Sequence, residues 1–233
     1  MKPILFNTVM TKAVRDDKKT ATRRILKTKE YIPDNAEFGC TAHTPERHIS
    51  CRGTFIDEIG NKRYGESFIK LPYCKGDILY VRETWFYEGH MHDLTAGEPD
   101  LPSGKYSFRY VYKADSPDYP VDVGVGADGW RPSIHMPKEA ARIFLRVTDI
   151  WVERLQDIGG YGVLAEGIDN GKSNPTMDVR WENMQRMAYS EVWNSTIKKS
   201  DLNKYGWDAN PWVTVTEFEK ISKEEALCLT KQS

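Results

Sequence analysis

Residues 141–154 (ARIFLRVTDIWVER) are long and β-rich, and they constrain the fold more than any other stretch of the chain. They read as one strand. Residues 78–85 (ILYVRETW) follow the turn Lys75-Gly76-Asp77 and read as a second. Alternation there puts Ile78, Tyr80, Arg82 and Thr84 on one face and Leu79, Val81, Glu83 and Trp85 on the other. Residues 20–25 (TATRRI), 50–56 (SCRGTFI), 106–114 and 212–218 (WVTVTEF) are further strands. The pattern predicts an α+β chain built on an antiparallel sheet or barrel.

Helical signals are fewer. Thr8 is placed to cap a short helix through Asp16, with Val9, Ala13 and Val14 on one face. Asp178 opens the best helix, in which Trp181, Met184, Ala188 and Val192 fall near helical spacing and read as its packing face. Residues 1–222 read as a single domain, with 223–233 as a tail carrying a loose helical turn. The stretches at about 27–50, 86–105 and 115–136 read as loop insertions, the last two rich in Gly, Pro and Asp. With 233 residues, 39% of them hydrophobic, and 7 Trp, 12 Tyr and 8 Phe, there is ample area to bury and no signature of disorder. No apolar run reaches membrane-spanning length, and residues 1–6 are too short an apolar stretch for a secretion signal. A cytoplasmic protein without a membrane partner is expected. Four cysteines in a chain of this length do not make a disulfide framework.

The net charge of -1 excludes a protein that binds nucleic acid simply by being basic. The distribution is uneven, however. Residues 1–30 hold nine Lys or Arg against Asp16, Asp17 and Glu30. No Walker loop, nucleophile elbow, HExxH or CxxC pair occurs, so no cofactor is expected. Gly124, Gly126 and Gly129 spell GxGxxG, but Trp130-Arg131-Pro132 follows where a helix would have to begin. Cys40, His43, His48 and Cys51 are residue types that ligate zinc, yet Cys51 sits in an alternating strand run, where a small buried thiol is ordinary. No metal is assigned to them.

Residues 17–24 (DKKTATRR) set a lysine cluster in a turn ahead of a strand bearing hydroxyls and guanidiniums, groups suited to a phosphate or a base. Thr20, Thr22 and Arg24 share one strand face. Lys19 can meet Thr22 only if it lies in the turn and curls back. Taken alone, such a charge run is also what a solvated turn looks like.

Four separated motifs then agree. The opening helix followed by K-K-T-A-T-R-R, then K-G-D-I-L-Y-V-R-E-T-W, and later R-V-T-D-I with L-A-E-G-I resemble the ASCH domain family of the PUA-like superfamily of small β-barrels. The closing Y-G-W-D-A-N-P-W-V and the central W-R-P-S-I-H-M-P resemble its longer, phage- and prophage-associated members. The resemblance implies a PUA-like mixed β-barrel with flanking helices and long loop insertions. Bacterial members of that family are amidohydrolases that remove an acetyl group from the exocyclic amine of cytidine. By that resemblance Lys19 accepts a proton, Thr22 attacks the acyl carbonyl and Glu166 donates to the leaving amine.

The physical conditions for those roles are definite. An ordinary lysine has a pKa near 10.4, so Lys19 needs burial or neighbouring cations such as Lys18, Arg23 and Arg24. Thr22 needs a base within about 3 Å, and Glu166 an apolar or anionic setting. The glycine run 159–162 ahead of Glu166 departs from the charged helix start usual in the family. Thr20, Arg23, Arg24, Arg82, Trp130, Arg131 and His135 are the candidate ligand contacts, Trp130 by stacking on a base and Arg131 and His135 by meeting phosphate. Trp85 is expected to pack, Arg82 and Glu83 to pair locally or line the pocket, and Trp207 and Trp212 to close the core. The expected partner is a nucleoside or nucleic acid, RNA in preference to duplex DNA. Two other readings stand beside the hydrolase: a noncatalytic binder of RNA or of single-stranded or modified nucleic acid, and a phage accessory protein that binds a protein partner.

Overall fold

A computed structural model describes residues 1–39, 47–56, 59–91, 106–118, 129–169 and 179–231, with backbone alone for 88–91 and 106–108. The first half runs β1 (Lys2–Leu5), α1 (Thr8–Arg15), β2 (Ala21–Ile25), β3 (Glu37–Phe38), β4 (His48–Ile56), β5 (Lys62–Lys70), β6 (Ile78–Arg82), β7 (Trp85–Met91) and β8 (Tyr106–Tyr112). The second runs β9 (Phe144–Arg154), α2 (Gly160–Ala165), α3 (Val179–Thr196), α4 (Leu202–Tyr205), β10 (Trp212–Ile221) and α5 (Lys223–Lys231). This is a mixed α+β chain whose ladders stay open among the described residues. None of its described helices is long and apolar enough to cross a membrane. The chain divides into two compact units, one of Met1–Asp16, Ile78–Leu145 and Lys220–Ser233, the other of Asp17–Asp77 and Arg146–Glu219.

In the first unit β1 pairs parallel with β6, Lys2 opposite Leu79. Ile78 to Val81 are all buried, which is why that run is apolar on both faces. The strand read over 78–85 breaks after Arg82: the Glu83 N–H goes to Met136 Sδ at 3.2 Å, and Trp85 starts β7, antiparallel to β8. β7 thus occupies part of the stretch that reads as an insertion. Ile78, Tyr80, Trp85, Met136 and Phe144 form the core, with Ala226 of α5 fully buried against them. That burial, together with the Ser222 hydroxyl accepting from the Glu225 N–H, makes the tail a nine-residue helix rather than a loose turn. At α1, Asn7 rather than Thr8 is the cap, its side chain accepting from the Met10 N–H at 2.8 Å. Thr11 and Val14 are buried there and Val9 is exposed.

In the second unit β10 lies between β9 and β2, with Thr22 opposite Thr216 and Arg24 opposite Thr214. β3, β4 and β5 form a separate antiparallel sheet. The core here is Leu155, Ile158, Val163, Tyr189, Trp193 and Val213, flanked by Trp207. Trp212 packs edge-on against Phe38 and under the Arg154 guanidinium. The buried stripe of α3 is Trp181, Gln185, Tyr189 and Trp193, not Trp181, Met184, Ala188 and Val192, and Val192 is exposed. Spacings of three and four allow two adjacent stripes, and the one with more aromatic area turns inward. The expected helix start at Asp178 lies outside the described residues.

Candidate functional site

The chain enters the second unit through Asp17, whose φ of +56° is a left-handed conformation that a short polar side chain tolerates. Lys19 follows ahead of β2 and bridges Glu166, and the Thr20 N–H donates to the Ala165 carbonyl at 2.8 Å. This bridge sets Lys19 beside the C-terminal end of α2. It lays the lysine side chain along the start of β2, where its Nζ donates to the Ala21 carbonyl at 2.8 Å, the Glu166 carbonyl at 3.0 Å and Glu166 Oε2 at 2.5 Å. An ammonium has three hydrogens, and here each has an acceptor.

Glu166 caps the C-terminus of α2 and is buried. Its other oxygen, Oε1, accepts from the Arg23 backbone N–H at 2.6 Å and from the Tyr189 hydroxyl at 3.4 Å, with Arg23 Nη1 at 3.5 Å. Arg23 Nε donates to Glu153 Oε1 at 2.7 Å, and Glu153 Oε2 accepts from the Trp151 indole. Two cations and two carboxylates therefore close into one buried network.

The glycine run before Glu166 has a steric cause. A Cβ on Gly160 would lie 2.4 Å from the Trp181 ring, and one on Gly162 would lie 2.9 Å from Ile158 and 3.1 Å from Arg23 Nη2. Glycine lets α2 settle onto Trp181 and the Arg23 guanidinium. That seat positions Glu166 at the helix end.

Burial pushes the Lys19 pKa down; the Glu166 carboxylate opposes this, while Arg24 and Arg23 add to it. Lys18, named from sequence as a contributor, is exposed and is not among the causes. The Tyr189 phenol is held well above its ordinary range, chiefly by burial and then by the Glu166 charge. Thr22 is buried directly after Ala21, on the β2 face opposite Arg23. Arg24, half-buried, shares the Thr22 face, and Thr20 is exposed.

Arg82, Trp130, Arg131 and His135 belong to the first unit. Arg131 and Trp85 exchange backbone hydrogen bonds, and the Arg131 guanidinium lies 5.3 Å from the Trp85 ring centre. Trp130 meets Phe86 edge-on, with Lys113 Nζ 5.9 Å from its ring centre. Arg82 donates to the Ile134 carbonyl at 3.2 Å and does not pair with Glu83, whose two oxygens are both held by Arg142. His135 ends an exposed 3-10 turn.

Cys40, His43, Gly124 and Gly126 lie outside the described residues. Cys51 is buried on β4 opposite Ser67, with its thiol pKa raised by burial. Among the described residues no three His, Cys, Asp or Glu side chains converge as a metal site would require. Sequence reasoning missed Tyr189 and Glu153. The spacing of Tyr189, eight after Trp181 and four before Trp193, was a usable signal; Glu153 had none, because its partner Arg23 is 130 positions away. No protein-family model, characterised protein or solved structure matches this chain.

Proposed function

We propose that this chain is an ASCH-like protein with a PUA-like barrel core, and that it binds a nucleobase-bearing ligand and hydrolyses the exocyclic amide of an acylated nucleoside such as 4-acetylcytidine. The observation that carries the reading is the buried Lys19–Glu166 contact at 2.5 Å, which ends on the residue preceding Thr22. Burial favours the uncharged form of Lys19, and the contact sets that amine directly against the Glu166 carboxyl group. The Thr22 hydroxyl adds to the acyl carbon while Lys19 takes its proton. The carbon–nitrogen bond then breaks as Glu166 protonates the departing exocyclic amine, and water hydrolyses the threonine ester to release the acid. The residues act without a cofactor, and the setting the reading implies is the cytoplasm.

One observation favours a second reading. All three Lys19 hydrogens are already accepted and both side chains are almost wholly buried, an arrangement that also suits a structural ion pair. Under that reading the chain is a noncatalytic binder of RNA or of single-stranded or modified nucleic acid.

A mass-spectrometric assay on a panel of acylated and otherwise modified cytidines and adenosines separates them. The hydrolase reading expects turnover by the wild type, retention in Thr22→Ser, and loss in Thr22→Val and Lys19→Met with the folded circular-dichroism signal intact. Absence of turnover on every member sinks it. A binder of single strands would instead lose affinity with salt at a logarithmic slope of about -0.7 per phosphate contacted.

A further inference from the structure

A cavity of about 450 Å³ opens in the first unit. Its wall carries Arg15 from the end of α1, Arg142 from just before β9, Lys220 from the end of β10, and Ser222 and Lys223 from the start of α5. Four cations from three chain segments line it, and among the described residues no carboxylate does. Carboxylates hold both arginines. Asp115 accepts from Arg15 Nη1 through Oδ1 and from Arg142 Nη1 through Oδ2, while Asp16 takes Arg15 Nε and Glu83 takes Nε and Nη2 of Arg142. One carboxylate, Asp115, thus bridges the two guanidiniums. Lys220 Nζ donates to the Arg15 carbonyl at 2.9 Å, which ties a third cation to the same wall. The positive end of the α5 dipole adds to the same potential.

We propose that this cavity is a phosphate-monoester site, which takes the terminal phosphate of a small molecule such as a nucleotide. Planar guanidiniums held in place by carboxylates match phosphate oxygens, and Lys220 and Lys223 supply the charge a dianion calls for. The concavity favours a monoester over a polymer backbone, which is tracked by an extended basic groove rather than a single pocket. The proposal stands apart from the amidohydrolase reading, whose substrate needs no phosphate.

The test titrates the full chain by calorimetry with inorganic phosphate, a nucleoside monophosphate, the parent nucleoside, and an oligonucleotide lacking any terminal phosphate. Inorganic phosphate is expected to bind, and the monophosphate to bind more tightly than its parent nucleoside. Lys220→Gln and Lys223→Gln, both at exposed positions, should each weaken the monophosphate at least tenfold, while the exposed Lys204→Gln leaves it unchanged. Three results overturn the site: no phosphate binding at millimolar concentration, affinities unchanged in both lysine variants, or an oligonucleotide that binds as tightly as the monophosphate.

Discussion

Each unit of this protein buries a carboxylate against a cation, and the two pairs differ in what the cation can do. In the second unit Lys19 and Glu166 are 0% and 4% exposed, and the ammonium makes single bonds to three acceptors. In the first unit Glu83 is 1% exposed, but Arg142 keeps 29% of its side chain in solvent, grips both Glu83 oxygens at 2.8 and 2.9 Å, reaches Asp115, and lies 3.8 Å from the centre of the Tyr112 ring. Burial works against the charge in both places. At Arg142 the bonds from Glu83 and Asp115 outweigh burial and hold the guanidinium above its ordinary pKa; at Lys19 burial wins and the pKa falls. Burial thus favours the uncharged form at Lys19, while the Arg142 guanidinium stays charged.

The largest test of that contrast is Lys19→Met. It leaves Glu166 buried with only the Arg23 side, its backbone N–H and Tyr189, and should cost ~3–5 kcal/mol in urea denaturation. Adding Glu166→Gln should recover part of this loss, and a strictly additive double variant would mean that the two residues are not coupled. Arg142→Lys keeps the charge but breaks the fork on Glu83, with an expected loss of about 1.5–3 kcal/mol on the same curve.

The pairs should also separate with pH. Because the folded Lys19 pKa lies below 10.5, the unfolded chain binds more protons in the window beneath 10.5, and folding gains stability as pH rises through it, by at most ~1.4 kcal/mol per unit. The gap between wild type and Lys19→Met should therefore widen with pH there; a constant gap would contradict the lowered pKa. Beside Arg142 the sign is opposite. Burial raises the Tyr112 phenol to about 12, so its contribution is intact below pH 10 and is lost as pH climbs toward 12, visible as delayed ionisation at 295 nm that Tyr112→Phe removes. The smallest effect belongs to an exposed pair: Glu219→Gln, which removes the surface contact to Arg146, should stay within about 1 kcal/mol.

Much of this was legible locally. The runs 141–154, 20–25 and 212–218 became β9, β2 and β10 with shifts of a few residues at their ends, because alternation and β-branching act over short distances. β1 and β5 were not legible, the first being four residues containing Pro3, the second a polar run whose exposure follows from its place at the edge of its sheet. That Lys19 cannot share a regular strand face with Thr22 was legible from their spacing. The Lys19 acceptors were not foreseeable.

What the sequence by itself determined is the α+β class, the placement of its main strands, and the concentration of Lys19, Thr22, Arg23 and Arg24 at one turn and strand. Tertiary structure alone decided that Lys19 meets Glu166 across 147 positions, that Arg23 meets Glu153 across 130, and that Glu83 turns from its neighbour Arg82 to Arg142 across 59. Local pattern records which face a side chain leaves the backbone from. It carries no term for the distant segment that folding brings to that face, and the charge state of a buried lysine depends on what that segment carries.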